Sequence, residues 1–246
     1  MTMKKLGVLG GMGPEATSLF FHKLVLNTVA KSDQEHIDTI IINHATLPDR
    51  TTVIKENRGD EFLRTVKANF ELFEQAKVDH IAIPCNTSHY FYEEMQKMTD
   101  IKIIHMVEET VKILFNKYGK GTNVAILATE GTIRTKIYEK MCQNYGLQPI
   151  IPDQSTQNRV MNMIYQVKEG IPVVPEDLEK IIFHKLEKEN CSTVILGCTE
   201  LSTIPIKEEL LRFTIDPLEV LVHTSIILSN KESKLTPLFE NKEFHY

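Results

Sequence analysis

The 246-residue chain has no tryptophan, and its remaining aromatics make up only 7% of it. It also lacks any basic run. Its 28 Lys and Arg stand against 33 Asp and Glu for a formal net charge of -5, which argues against nucleic acid as the main partner. A few local cations outweigh so weak a global field, so a small anionic ligand remains compatible. No window approaches 18 uninterrupted apolar residues, so no membrane span is expected. Met1 to Gly10 runs from two lysines into a very short apolar stretch and then glycines, without the length or cleavage site of a signal peptide. That segment reads as a first strand, and a cytoplasmic location is expected. Cysteine is scarce, with four residues and no Cys-x-x-Cys spacing, which excludes a zinc ribbon and a secreted disulfide framework. The four are expected as free thiols, so their reactivity becomes the question. Nine scattered histidines without paired spacing make no metal site.

What is present is ordinary globular material, 42% apolar and 25% charged, in a chain long enough to bury a full core. Strand-like apolar runs alternate with amphipathic helical stretches, the pattern of an α/β protein with mostly parallel strands. Strands are expected at Leu6 to Leu9, Thr39 to Asn43, His80 to Pro84, Lys102 to His105, Asn123 to Ala128 and Thr193 to Leu196. Helices are expected at Ala16 to Ala30, Glu61 to Ala76, Val107 to Tyr118, Ile133 to Tyr145, Gln157 to Lys168 and Pro175 to Glu189.

A weak internal repeat organises these elements. Each half opens with a strand, a turn and a helix, and closes with a strand that ends at a cysteine. From Gly10 to Cys85 is 75 positions, and from Ala128 to Cys198 is 70. Two pseudo-symmetric α/β domains with an active site between them are the expected architecture. The expected division is 1–98 plus 209–228 for the first domain and 99–208 for the second, with 229–246 as a frayed tail rich in Lys, Glu, Ser and Pro.

In open α/β sheets, ligands bind beyond the carboxyl ends of the strands, and Cys85 and Cys198 both fall there. A thiol at a helix N-terminus meets unpaired backbone N–H groups and the positive end of the helix dipole, which favour thiolate. Thr87, Ser88 and Thr199 can cap such termini or donate to a carboxylate, and Asn86 offers both a donor and an acceptor. Two thiols facing one small cavity suit removal of a proton from one face of a carbon and its return to the other, which is racemisation or epimerisation. Buried cysteines are also common small core residues, the reading given to Cys142 and Cys191.

Gly11-Met12-Gly13-Pro14-Glu15-Ala16 satisfies G-x-G-x-x-A between a strand and a helix, so a dinucleotide site has to be weighed. The second strand, however, runs into Asn43-His44-Ala45 rather than ending on the acidic residue that would hold a ribose. A loop for a substrate carboxylate is the preferred reading. Arg50, placed in a loop after the second strand, is either a carboxylate clamp or a solvated surface residue. Lys168 ends a helix, where simple capping also accounts for a cation. His44, His89 and His105 read as pocket wall or core.

Taken together, Gly10-Gly11-Met12-Gly13-Pro14-Glu15-Ala16-Thr17, Pro48-Asp49-Arg50-Thr51, Pro84-Cys85-Asn86-Thr87 and Gly197-Cys198-Thr199-Glu200-Leu201 resemble the motifs of the aspartate racemases of the Asp/Glu racemase superfamily, over roughly Lys4 to Leu228. The resemblance implies a cofactor-independent homodimer, with neither pyridoxal phosphate nor metal, acting on aspartate, with glutamate or a broader amino-acid range also open. It implies that Cys85 and Cys198 exchange the α-proton and that Arg50 and Lys168 hold the side-chain carboxylate. Met12, Asn86, Thr87, Thr129 and Thr199 are the implied pocket residues. Glutamate racemases of the superfamily usually carry Asp-Ser at the opening motif and His after the second Cys-Thr, where this chain has Met12 and Glu200. Both thiols are kept, which implies exchange in both directions. Two other activities stay open, a thiol-dependent dicarboxylate isomerase of the maleate isomerase kind and a non-catalytic ligand-binding protein on the same scaffold.

Overall fold

A computed structural model describes residues 4–239. The first half holds strands β1 (Leu6–Gly10), β2 (Thr39–Asn43), β3 (His80–Ala82) and β4 (Lys102–Ile103), with helices α1 (Pro14–Asn27), α2 (Arg50–Lys55), α3 (Gly59–Gln75) and α4 (Tyr92–Gln96). The second holds β5 (Asn123–Ala128), β6 (Gln148–Ile150), β7 (Thr193–Gly197) and β8 (Thr214–Ile215). Its helices are α5 (Met106–Tyr118), α6 (Glu130–Thr135), α7 (Ile137–Asn144), α8 (Gln154–Lys168), α9 (Pro175–Glu187) and α10 (Glu208–Leu211), followed by α11 (Pro217–Leu228) and α12 (Thr236–Phe239).

The two sheets have the same parallel topology, β2-β1-β3-β4 and β6-β5-β7-β8. The repeat read from the strand-to-cysteine spacing is therefore a repeat of architecture. Strands β1 and β7, and β5 from Val124 on, are buried and, apart from Thr193, carry no polar side chain, because helices cover both faces of a parallel sheet. Leu9, Ile81 and Ile103 face Phe62, Val66, Phe70 and Phe73 of α3, while Leu6 and Val8 face Phe20 and Leu24 of α1 and Leu218, Leu221 and Val222 of α11. In the second sheet, Ala125 and Leu127 pack on α8 and α9, while Val124 and Ile126 pack on α5 and α7. Each such large side chain contributes about 1.5–3 kcal/mol by leaving water.

Two strands escaped the sequence pattern. β6 carries Pro149, which a sheet tolerates at its edge, and β8 is only two residues long. β8 pairs with β7, so Thr214–Ile215, expected in the first domain, run with the second sheet, and β4 pairs with β3, so Lys102–Ile103, expected in the second domain, run with the first. The expected helix Ile133 to Tyr145 is two helices, broken at Lys136, whose φ of 59° is left-handed. The expected frayed tail is docked as far as Phe239. Ser233 bridges Thr28, the Val29 amide donates to the Glu232 carbonyl, and Leu235 is buried against the first core. Residues 240–246 of that tail lie outside the described residues. Among the described residues, no helix is long and apolar enough to cross a membrane.

Candidate active site

Both sheets place the strand-order reversal between their first and third strands, so the loops after β1 and β3, and after β5 and β7, open a crevice at the carboxyl edge. Met12 follows β1 and Cys85 lies just beyond β3; Thr129 follows β5 and Cys198 follows β7. All four line one cavity, together with Arg50, Asn86, Thr87, Lys168 and Thr199. Nine positions scattered over the chain thus meet, and Asp49, Thr51 and Glu200 join them. The cavity is nearly closed, at about 10 Å³, and it adjoins a vestibule of about 470 Å³ that shares Asp49, Arg50, Lys168 and Glu200.

Local sequence explains each placement. Asp49 caps α2, its carboxylate accepting from the Thr52 amide at 2.9 Å, and so sets Arg50 at the helix start rather than in the expected loop. Arg50 is buried, and Nη1 donates to the carbonyls of Leu47 (3.3 Å) and Pro48 (3.0 Å), while Nε is buried without a partner among the described residues. Thr129 caps α6 by accepting from the Thr132 amide at 3.1 Å. Thr87 Oγ1 stands 3.0 Å from both Thr129 Oγ1 and Thr132 Oγ1, which ties the two halves together at the cavity wall. Lys168 ends α8, as expected, and sits exposed at the rim. Desolvation at the mouth lowers its pKa, but Glu200, Cys198, Asp49 and Cys85 together hold it above the ordinary lysine value.

The thiols differ in their surroundings. The short 3-10 turns Thr87–Phe91 and Leu201–Thr203 follow them, in place of the α-helix N-termini expected from sequence. At Cys198 the contributions that favour thiolate, the Lys168 charge and a backbone hydrogen bond from Glu200, are outweighed. Burial, and then the carboxylate of Glu200, push its thiol well up, and Sγ lies 2.8 Å from Glu200 Oε2. The carbonyl of Cys85 accepts from Ser88 Oγ and from His89 Nδ1, both at 2.8 Å. His89 is buried and held near pKa 4, chiefly by burial, and its Nε2 accepts from the Met106 amide at 3.2 Å. His44 meets Asn69 and His105 caps α5, so none of these three histidines lines the cavity. Cys142 and Cys191 are buried away from it, with burial pushing their thiols up to about 12 and about 11.

The glycine turn is occupied by its own helix. The Gly11 amide donates to Thr17 Oγ1 at 2.9 Å, and Thr17 Oγ1 donates to the Gly13 carbonyl at 3.0 Å. Gly11 has a φ of 90°, and a Cβ there would lie 2.3 Å from the His44 backbone, so only glycine fits. Among the described residues, no group of three or more His, Cys, Asp or Glu could hold a metal ion.

Asp49, Thr51 and Glu200 are the cavity residues to which the sequence reading gave no site role, and of these Glu200 touches a thiol. Its one signal was adjacency in Cys198-Thr199-Glu200, which becomes meaningful only when the turn folds the carboxylate back onto the thiol.

The family model for Asp/Glu/Hydantoin racemase matches residues 9–224. The broad specificity amino-acid racemase RacX of Bacillus subtilis (strain 168) is 28% identical over 203 residues, covering 81% of this chain and 86% of that protein. The aspartate racemase of Picrophilus torridus superposes with a TM-score of 0.84 at 28% identity, covering 96% of this chain and 98% of that one. An aspartate racemase homologue from Pyrococcus horikoshii OT3 has the same fold, with a TM-score of 0.77 at 20% identity over 93% of this chain and 100% of that one.

Proposed function

The chain belongs to the Asp/Glu/Hydantoin racemase family and is an isomerase of the amino-acid racemase type, and on that premise we propose that it interconverts L- and D-aspartate by a two-thiol mechanism. The observation that carries this reading is the convergence of Cys85 and Cys198, from equivalent strand ends of two like halves, on one cavity. Two bases on two faces are what proton exchange at a stereocentre requires. In one direction the Cys85 sulfur takes the α-proton, the electron pair passes into the adjoining carboxylate, and the Cys198 thiol returns a proton on the opposite face. In the reverse direction Cys198 must first give up its proton, and Glu200, 2.8 Å away, is the acceptor at hand.

Arg50 and Lys168 hold the side-chain carboxylate in this scheme. The buried, unpartnered Nε of Arg50 is a donor awaiting an acceptor, which favours an acidic substrate over a neutral one. Met12, Asn86, Thr87, Thr129 and Thr199 form the wall around the reacting carbon. The thiols supply both proton positions, so neither pyridoxal phosphate nor metal takes part. The enzyme works as a cytoplasmic homodimer in this reading. Exposed Phe21, Val25 and Leu26 on α1 and Ile41 on the edge strand β2 offer apolar surface for a second copy, and sedimentation velocity should give twice the chain mass; a monomer would remove that element.

The decisive test is proton NMR in D₂O with L-aspartate, D-aspartate, L-alanine and maleate. The α-proton signal of both aspartate enantiomers should disappear, faster than that of alanine, while maleate stays unchanged. Cys85→Ala and Cys198→Ala should each abolish racemisation with the fold retained. Conversion of maleate to fumarate instead would establish the dicarboxylate isomerase, and no change in any substrate would leave a binding protein.

A further inference from the structure

Asn86 follows the thiol of Cys85 directly, and its side chain is 2% exposed. Its amide carries an acceptor and a donor at opposite corners of a planar group, so whatever holds one corner aims the other. Tyr138, from α7 of the second half, holds one: its phenol oxygen lies 2.5 Å from Asn86 Oδ1. That distance falls within the range of an O–H···O bond and short of the N–H···O range, so the corner facing the phenol is the amide oxygen. Nδ2 is thereby turned the other way, buried and without a hydrogen-bond partner among the described residues. A buried donor left unpaired is destabilising, and a ligand acceptor would relieve it.

We propose that Tyr138 is a positioning residue that locks the Asn86 amide with Nδ2 toward the cavity, where it donates to the substrate carboxylate attached to the reacting carbon. The inference rests on the racemase reading. When the α-proton leaves for a cysteine sulfur, the electron pair it leaves behind spreads onto that carboxylate, so the oxygen facing Nδ2 gains charge as the barrier is climbed. A donor fixed beforehand is worth more to the transition state than to the bound substrate. Tyr138 suits the task because burial pushes its phenol well above the usual range, so it stays a donor. It is 1% exposed and packed in the core of the second half, with its ring 3.3 Å from where a Cβ on Gly197 would lie, so it has no room to swing away. The left-handed break at Lys136 starts α7 two residues before Tyr138, and the bond then runs from one half of the molecule to the other.

The experiment is a double-mutant cycle on L-aspartate racemisation with wild type, Tyr138→Phe, Asn86→Ala and the pair, with thermal melts on all four. Asn86→Ala should lower kcat by roughly 10- to 100-fold with little change in KM, as expected for one hydrogen bond to a developing charge. Tyr138→Phe should lower kcat by about 10-fold, since the amide is then free to turn. In the Asn86→Ala background the same Tyr138→Phe change should have less than about a twofold effect, because the group it orients is gone. Asn86→Asp keeps an acceptor for the phenol but presents a second acceptor to the cavity, and it should fall below Asn86→Ala. Equal losses from Tyr138→Phe in both backgrounds would overturn the proposal, as would losses confined to KM. An unaffected Tyr138→Phe would overturn it too. If wild type does not racemise aspartate at all, the racemase reading fails first.

Discussion

Cys198 and Glu200 are two positions apart, and their side chains meet at 2.8 Å within a turn closed by the Leu201 amide on the Cys198 carbonyl at 3.0 Å. The carboxylate has two opposing effects on this thiol. Its charge, added to burial, makes the proton harder to remove, while its oxygen is the nearest place for that proton to go. Glu200→Gln separates the two. The Cys198 thiol should become easier to ionise and should alkylate faster with iodoacetamide at pH 8, while kcat falls about 10-fold or more as the acceptor is lost. Mass mapping of Cys198 beside steady-state kinetics tests this. A variant that both alkylates and racemises faster would reduce Glu200 to a brake. At this scale the sequence showed which residues gather at the cavity, because Cys85, Cys198 and their neighbours sit at strand ends. It did not show the pairings, since Asn86 and Tyr138 are 52 positions apart and Tyr138 reads as an ordinary core aromatic.

At the scale of elements, the long apolar strands and most of the long helices were legible, while α11 and the short pieces were not. β6 and β8 offer too few residues for any period to show, and the 3-10 turns after the two thiols have no pattern of their own. The contact between α2 and α6 was equally invisible, although it brings Arg50 and Thr129 to the same cavity. Gly131 makes that contact possible: a Cβ there would lie 2.9 Å from Thr51 Oγ1, 3.1 Å from Thr51 Cα and 3.2 Å from Thr87 Cγ2. Gly131→Ala should therefore force α2 and α6 apart, lowering stability by about 1–3 kcal/mol and raising KM for aspartate severalfold. A thermal melt and a substrate titration measure the two effects. An alanine variant with wild-type melting and KM would show that the helices have slack there.

Over the whole molecule, α11 closes the structure, packing Leu218, Leu221 and Val222 into the core of the first half and Val220 into that of the second. Its N-cap, Asp216, accepts from the Leu218 amide and from Ser202 Oγ, both at 2.8 Å, and so fastens the helix to the turn behind Cys198. Burial, with Glu219 nearby, pushes this carboxyl up to about 6 from 3.8. An acid with a raised folded pKa binds its proton more tightly in the folded state. Its contribution is therefore present below pH 3.8 and is lost as the pH rises through 6. The loss amounts to at most about 3 kcal/mol. Asp216→Asn keeps the cap acceptor and removes the ionisation. The variant should match wild type near pH 4 and exceed it by about 1–3 kcal/mol above pH 6, as read by urea unfolding across that range. A stability difference independent of pH would place the ionisation elsewhere.

The sequence by itself determined the parallel α/β class, the two-fold repeat, the strand-end cysteines and the motifs by which the family is known. These depend on local periods, on turn chemistry and on short runs of adjacent residues, which need no folding to be read. Tertiary structure decided what those residues are to one another: that Glu200 turns onto Cys198, that Arg50 begins a helix, that Tyr138 reaches Asn86 across the two halves, and that residues 230–239 dock instead of fraying. Distances and burial belong to pairs of residues far apart along the chain, and only packing of the two sheets against their shared helices brings such pairs within reach of a hydrogen bond.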